Sequence, residues 1–378
     1  MVLEKIIKIA FTIIVCFIQN FKNEECLDSI YIKKSNHLLD KIDTVREILK
    51  DENFDFPKFI FVGDESSGKS SVIESLTGID VPRGLGTVTK CPLIIMSRNI
   101  SDDDQEFAEV HIEGKSEKKI ITSLDKLNEV VNTLQTSLLK ANEEISQTPI
   151  YLKVFKKGAP NITLFDLPGI ATKTIEIEYI TKYIIAKYVK GQYTTILLAL
   201  PSNMNFLQLH AIEAIKNNDN YVSSTIPVIT KIDLAMKTIH AKLAENVLKL
   251  KNEAFITKNR SQEDNDNKIP FEIIRKKERE VMEKSEELKN ISSSNKGSYN
   301  LLKKLLEIQN ENIIKVFPKI KDQIQSKILE YRKLINNISV IDENSNKDSL
   351  QTNINTIIIE RYNKSINNLE RALQILNE

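Results

Sequence analysis

Short apolar runs, separated by stretches with helical periodicity, fill the middle of this chain. Phe59 to Val62 forms a β-type run after Pro57 and leads through a Gly- and Ser-rich turn into helical sequence from Lys69 to Leu76. Pro92 to Met96, Ile150 to Phe155, Ile162 to Phe165, Thr195 to Leu200 and Ile226 to Ile229 are further strand candidates, again with helical sequence between them. Apolar strands alternating with helices predict an α/β fold with a mainly parallel sheet covered on both faces.

The flanks read differently. Residues 34 to 50 carry Leu38, Leu39, Ile42, Val45 and Ile48 at three- and four-residue steps, an amphipathic helix whose apolar stripe needs a partner. From Lys258 to Asn300 the chain turns polar, and its mixed charges predict a solvated helix between loops. Helical period returns from Leu301 through Ile313, Val316, Ile320, Ile324, Ile328, Tyr331 and Ile335, with Pro318 as a predicted kink or hinge. Ile357 to Ile359 and Leu369 to Leu376 predict a last helix after a polar loop.

At 378 residues the chain is long enough for two domains, or for one large domain with a helical appendage. Its 53 Lys and Arg against 52 Asp and Glu give no global attraction to nucleic acid or to an anionic membrane, and no nucleic-acid partner is expected. Cys16, Cys26 and Cys91 form neither a disulfide framework nor a metal-ligand spacing, and they fit a reducing compartment. Lys5 and Lys8 followed by the apolar run Ile9 to Ile18 leave three readings: a secretory signal, an interfacial anchor, or an extension with no targeting role.

The chemistry concentrates in three segments. Gly63, Asp64, Glu65, Ser66, Ser67, Gly68, Lys69 and Ser70 match G-x-x-x-x-G-K-[ST] between a predicted strand and a predicted helix, with Ser71 next in line. Backbone N–H groups of such a loop and of the helix N-terminus surround phosphates, Lys69 neutralises β- and γ-phosphate oxygens, and Ser70 ligates Mg²⁺. A plain Gly/Ser turn is the bland alternative, and the strand and helix on either side argue against it. Asp166-Leu167-Pro168-Gly169 directly follows a predicted strand. Asp166 can hold Mg²⁺ through water there, and Gly169 can offer its N–H to a γ-phosphate. Thr230-Lys231-Ile232-Asp233 follows another strand. The Asp233 carboxylate can accept from N1–H and the exocyclic amine of guanine, a donor pair that adenine lacks, while Lys231 packs its stem along the base. Asp233 thus favours GTP/GDP and weighs against a P-loop kinase or ATPase.

Taken together, these segments resemble the dynamin superfamily of large GTPases, especially its Mx-like and plant dynamin-related members, from about residue 36 to 378. Pro82 to Pro92 is similar to the family's PRG-x-G-x-x-T-[RK]-x-P pattern, which implies that Thr89 contacts Mg²⁺ and the attacking water. Leu197 to Asn203 is similar to the strand before the family's dimer-contacting loop. Thr257 to Gln262 is similar to its base-contacting NRSQ motif, implying base-side roles for Asn259, Arg260 and Gln262. The implied catalytic set is Glu65, Ser66, Lys69, Thr89 and Gly169, and the implied Mg²⁺ ligands are Ser70, Thr89 and Asp166.

The same resemblance implies an organisation: an apolar extension over 1–33, a first bundle signalling helix over 34–50, a GTPase domain over 54–317, a second bundle helix over 318–340, and the start of a truncated stalk over 341–378. Pro318 then sits at a hinge. Expected partners are further copies of this chain, through the GTPase face and the partial stalk, while membrane or microtubule association rests on the resemblance alone. A GTP-dependent machine needs the cytosolic nucleotide pool, so a cytoplasmic location is expected and the N-terminal run is read as an extension with no targeting role.

Three positions depart from the family pattern. Glu65 stands where most members have Gln, and a carboxylate beside a γ-phosphate adds like-charge repulsion unless a cation screens it or it takes up a proton. Asn205 replaces an Asp of the dimer-contacting loop, and Ala171 is an extra residue between the DLPGI and TK segments. The expected function is GTP hydrolysis coupled to dimerisation and self-assembly. A non-catalytic GTP-binding scaffold is the alternative that Glu65 keeps open.

Overall fold

A computed structural model describes residues 37–49, 52, 54–82, 89–115, 117–141, 143–239, 243, 249–267, 269–344 and 349–378. The N-terminal apolar run, Cys16 and Cys26 lie outside these residues. The chain divides into two compact units: one is Asp55–Val316, and the other joins the described residues up to Phe54 with Phe317–Glu378. The principal helices are α1 (37–48), α2 (Lys69–Thr77), α3 (Leu127–Ser137), α4 (Ile175–Tyr188), α5 (His210–Lys216), α6 (Phe271–Lys284), α7 (Gly297–Asn344) and α8 (Ser349–Asn377).

Among the described residues of the larger unit, nine strands form one sheet. They are β1 (Lys58–Val62), β2 (Leu93–Ile100), β3 (Phe107–Ile112), β4 (Lys119–Ile121), β5 (Ile150–Lys157), β6 (Ile162–Asp166), β7 (Thr194–Pro201), β8 (Thr225–Thr230) and β9 (Phe255–Ile256). The spatial order is β4-β3-β5-β2-β6-β1-β7-β8-β9. β6, β1, β7, β8 and β9 run parallel, whereas β2 lies antiparallel to β6 and opens a mixed edge with β5, β3 and β4. The mainly parallel sheet read from the sequence is present.

Alternation along β1 builds two cores. Ile60 and Val62 enter a layer with Phe165, Ile184, Leu198 and Ile212, packed by α4 and α5. Phe59 and Phe61 enter the opposite layer with Val72, Leu76, Val131 and Leu301, packed by α2, α3 and the first turns of α7. Every residue of β7 and β8 is buried, which is why these strands read as continuous apolar runs. β3 instead alternates, sending Ala108, Val110 and Ile112 inward.

The polar stretch from Lys258 to Asn300 holds the mostly exposed helix between loops read from its charges, with one buried face. α6 buries Ile274, Glu278 and Met282 at four-residue steps, one continuous face. Glu278 accepts from the backbone N–H groups of Lys258 and Ser298, both at 3.1 Å, and from Ser298 Oγ at 2.5 Å. Burial pushes its pKa above the usual carboxylate value, against the pull of those donors. One carboxylate thereby joins the segment after β9 to the first turn of α7.

In the smaller unit Leu39, Ile42 and Val45 of α1, Ile320, Ile324 and Ile328 of α7, and Ile366, Leu369, Ala372 and Leu376 of α8 are buried. Their three- and four-residue steps place each set on one helix face. The Tyr331 ring lies 5.0 Å from that of Tyr362, and its hydroxyl donates to Glu52 at 2.7 Å. Lys327 pairs with Glu52 at 3.2 Å and Arg332 with Glu370 at 2.6 Å. α7 runs unbroken through Pro318, although the ring removes the N–H that would meet the Ile314 carbonyl. The division of the chain falls next to that proline, at Phe317. Among the described residues no helix is long and apolar enough to cross a membrane.

Candidate functional site

Because β6, β1, β7, β8 and β9 are parallel, their C-terminal ends share one edge of the sheet, the edge at which open α/β sheets bind ligands. β1 leads there into the loop from Gly63 to Gly68 and then into α2. Gly68 has φ +94°, and α2 has neither a side-chain N-cap nor an acidic residue in its first turn. Its first N–H groups and the positive end of its dipole are therefore available to an anion. A Cβ on Gly63 would fall 2.4 Å from Ser67 Oγ, so the loop closes only around glycine. Ser66 has φ +59°, a strained value for a residue with a side chain.

Lys69 is buried and donates from Nζ to the carbonyls of Gly63 and Asp64, both at 3.0 Å. Burial lowers its pKa, while Asp166, Asp64 and Glu65 act to raise it. At the end of β6, Asp166 Oδ2 accepts from Ser70 Oγ at 2.8 Å and from Thr89 Oγ1 at 3.4 Å. Burial raises the pKa of Asp166, against the charge of Lys69 and both hydroxyls. Asp166 is 1% exposed, and its Oδ1 has no hydrogen-bond partner among the described residues. Two hydroxyls, a carboxylate and an unmet buried acceptor suit a hard, oxygen-seeking cation. The structure thus brings Ser70, Thr89 and Asp166 together.

The segment after β6 docks directly on the loop. Ile170 exchanges backbone hydrogen bonds with it, accepting from Glu65 N at 2.8 Å and donating to Gly63 O at 3.2 Å. A Cβ on Gly169 would fall 2.8 Å from Lys69 Nζ and 2.9 Å from Glu65 Cα, so that close approach requires glycine. The extra Ala171 is buried beside Ile170 in the core. Glu65 Oε1 lies 3.4 Å from Lys173 Nζ. The Asp64 carboxylate is turned to α5, where it accepts from Ala211 N at 2.8 Å and His210 N at 3.1 Å. Asn205 Oδ1 accepts from Leu207 N at 3.0 Å, a cap that needs an oxygen but no charge.

At the end of β8, Thr230 Oγ1 donates to Ser67 O at 2.6 Å, and Ser202 Oγ donates to Lys231 O at 2.6 Å. Lys231 has φ +55° and Asp233 follows in an exposed turn, with no bonded partner among the described residues. Thr257 N donates to Ile229 O at 2.8 Å and so brings the segment after β9 beside the end of β8. Asn259 Nδ2 reaches Thr257 Oγ1 at 3.3 Å, and its Oδ1 has no hydrogen-bond partner among the described residues. The Arg260 guanidinium pairs with Glu74 at 3.1 Å and donates to Ile269 O at 2.9 Å. Ser261 and Asp264 form a capping box around a short helix that begins at Gln262, whose side chain lies outside the described residues. Residues 83–88 of the threonine-bearing motif also lie outside them, while Thr89 lies within. Sequence reasoning placed Ser202 only within the Leu197 to Asn203 segment, without its bond to Lys231, and missed the partner role of Lys173. The lysine stands in the TK segment already aligned with the family, but only the fold reveals what it touches.

The fold and the loop define a P-loop nucleotide-binding protein. The dynamin family model matches residues 59–232, and the model of the dynamin central region matches residues 238–375. The chain is 29% identical over 366 residues to an interferon-induced GTP-binding protein MxC of Danio rerio, covering 94% of this chain and 58% of the relative. It is 30% identical over 314 residues to an interferon-induced GTP-binding protein Mx of Ctenopharyngodon idella, covering 80% and 50% respectively. With an interferon-induced GTP-binding protein Mx1 of Bos taurus it shares 28% over 317 residues, covering 81% and 49%. The chain belongs to the dynamin superfamily and is Mx-like. It spans about half the length of the curated relatives it matches.

Proposed function

We propose that this protein binds GTP with Mg²⁺ and hydrolyses it to GDP and phosphate, coupled to association with further copies of itself. The observation that carries this reading is the convergence of Lys69, Ser70, Thr89 and the unmet Asp166 Oδ1 beside the uncapped N-terminus of α2. Loop N–H groups from Gly63 to Ser71 would cradle the phosphates, with Lys69 released from its two carbonyls to the β- and γ-phosphate oxygens. Ser70 and Thr89 would hold Mg²⁺ and Asp166 would hold its water ligands. The cation supplies charge neutralisation on the phosphates. Gly169 would offer its N–H to the γ-phosphate, and Glu65, Ser66 and Thr89 would orient the attacking water. In the reaction the water oxygen bonds to the γ-phosphorus, the bond to the β,γ-bridging oxygen breaks, and the proton leaves with phosphate. Asp233 would accept from guanine, with Lys231, Asn259 and Gln262 around the base.

The compact unit that unites α1, Phe317 onward and α8 supports reading α1 and the helix after Pro318 as a bundle that senses the nucleotide domain, with α8 beginning a stalk. A cytoplasmic location follows from the need for GTP. Competition for bound GDP tests the assignment: GTP is expected to displace it at far lower concentration than ATP, and equal displacement by ATP would overturn it.

A further inference from the structure

We propose, resting on the hydrolase reading, that Lys173 is a positioning residue that neutralises Glu65 and so allows a carboxylate to work where the family usually has a neutral amide. Glu65 Oε1 is 3.4 Å from Lys173 Nζ, with the two side chains 22% and 43% exposed. The pair does not float. Glu65 N donates to Ile170 O at 2.8 Å, and Gly169 packs so close that a Cβ there would lie 2.9 Å from Glu65 Cα. Lys173 follows three residues after Ile170, so its backbone is anchored on the segment that bears Glu65. Lys173 also lies 3.9 Å from the half-exposed Glu144, a longer contact. Lys69, a second cation near Glu65 among the described residues, donates to two backbone carbonyls.

The chemistry needs an acceptor for an O–H of the attacking water while its oxygen bonds to the γ-phosphorus, the bond to the β,γ-bridging oxygen breaks, and the proton departs with phosphate. An amide oxygen accepts without adding charge. A carboxylate accepts more strongly, but it repels the γ-phosphate unless a cation stands beside it. Lys173 supplies that cation and ties the acceptor to the segment carrying Gly169. Gly169 and Glu65 are then both placed by one stretch of chain.

A double-mutant cycle with the full chain tests the pairing, because it isolates the term that belongs to the two residues together. Lys173→Ala is expected to lower kcat by roughly tenfold or more, as removing a cation beside an anion leaves that charge uncompensated. Affinity for GDP, which has no γ-phosphate, is expected to stay within about twofold. Lys173→Arg should restore most of the rate. In a Glu65→Gln background Lys173→Ala should lower kcat by less than about threefold, since no charge remains to neutralise. Equal losses in both backgrounds, or a fall in GDP affinity matching the fall in kcat, would overturn the pairing. A wild-type protein that releases no phosphate would overturn the hydrolase reading instead. The pairing is then read from binding: Lys173→Ala must weaken a non-hydrolysable GTP analogue and spare GDP, and equal effects on both would sink it.

Discussion

Thr230 Oγ1 donates to the backbone carbonyl of Ser67 across 2.6 Å, joining the end of β8 to the phosphate loop that follows β1. Both groups are buried, and Thr230 also packs against Gly68, where a Cβ would fall 3.2 Å from the threonine side chain. Thr230→Val keeps the shape and removes the donor, leaving a buried carbonyl unmet. Stability should drop by about 1–3 kcal/mol, read from the urea midpoint, and GDP affinity should fall with it. Thr230→Ser, which keeps the hydroxyl, should lose much less. A valine variant with wild-type stability and affinity would mean that the bond contributes nothing to the loop.

Base choice is a separate test. Asp233 is exposed and has no bonded partner among the described residues. Asp233→Asn replaces one acceptor oxygen by a donor, which repels a donor of guanine and matches the C2 oxygen of xanthine. The expected outcome is a preference moved from GTP toward XTP in a competition assay. An unchanged preference for GTP would move base recognition elsewhere.

The segment after β9 carries its own pH signature. Burial works to raise the pKa of Asp264, but Lys277 at 2.6 Å and the Ser261 side chain and backbone hold it down at about 2. The unfolded chain has an Asp near pKa ~3.9, so between the two values the unfolded state binds more protons. The contribution of Asp264 is therefore whole above about pH 4 and is lost as pH falls through about 2. Asp264→Asn should lower the urea midpoint at pH 7, and the gap to wild type should narrow steadily below pH ~4. A gap independent of pH would assign the loss to something other than charge.

Sequence and structure agree where the signal is local. β1 and β7 were legible as apolar runs because each is covered on both faces, and the G-x-x-x-x-G-K-S segment was legible because strand, loop and helix are contiguous. β3 and β4 escaped notice because they lie at the mixed edge, where β3 buries only alternate residues and β4 is three residues long. β9 has only two residues, too few for any periodicity. The burial of Glu278 was hidden by the charges around it on α6. Contacts such as Thr230 with Ser67, Arg260 with Glu74 and Asp64 with Ala211 join residues far apart in the chain, and only the sheet order brings them together. The sequence pattern therefore points to candidate residues of the site, while a partner such as Glu74 for Arg260 appears only once the chain is folded.

Turnover of GTP measured against protein concentration, with Lys69→Ala as the control, tests the central claim most directly. Lys69 is buried between loop carbonyls with its charge available to the phosphates, and losing such charge-assisted contacts typically removes about 2–4 kcal/mol of transition-state stabilisation. The account predicts phosphate release by the wild type that rises per molecule as concentration rises, and at least a hundredfold-order loss, roughly, in Lys69→Ala without unfolding. Phosphate release no greater than that of Lys69→Ala at every concentration would contradict it.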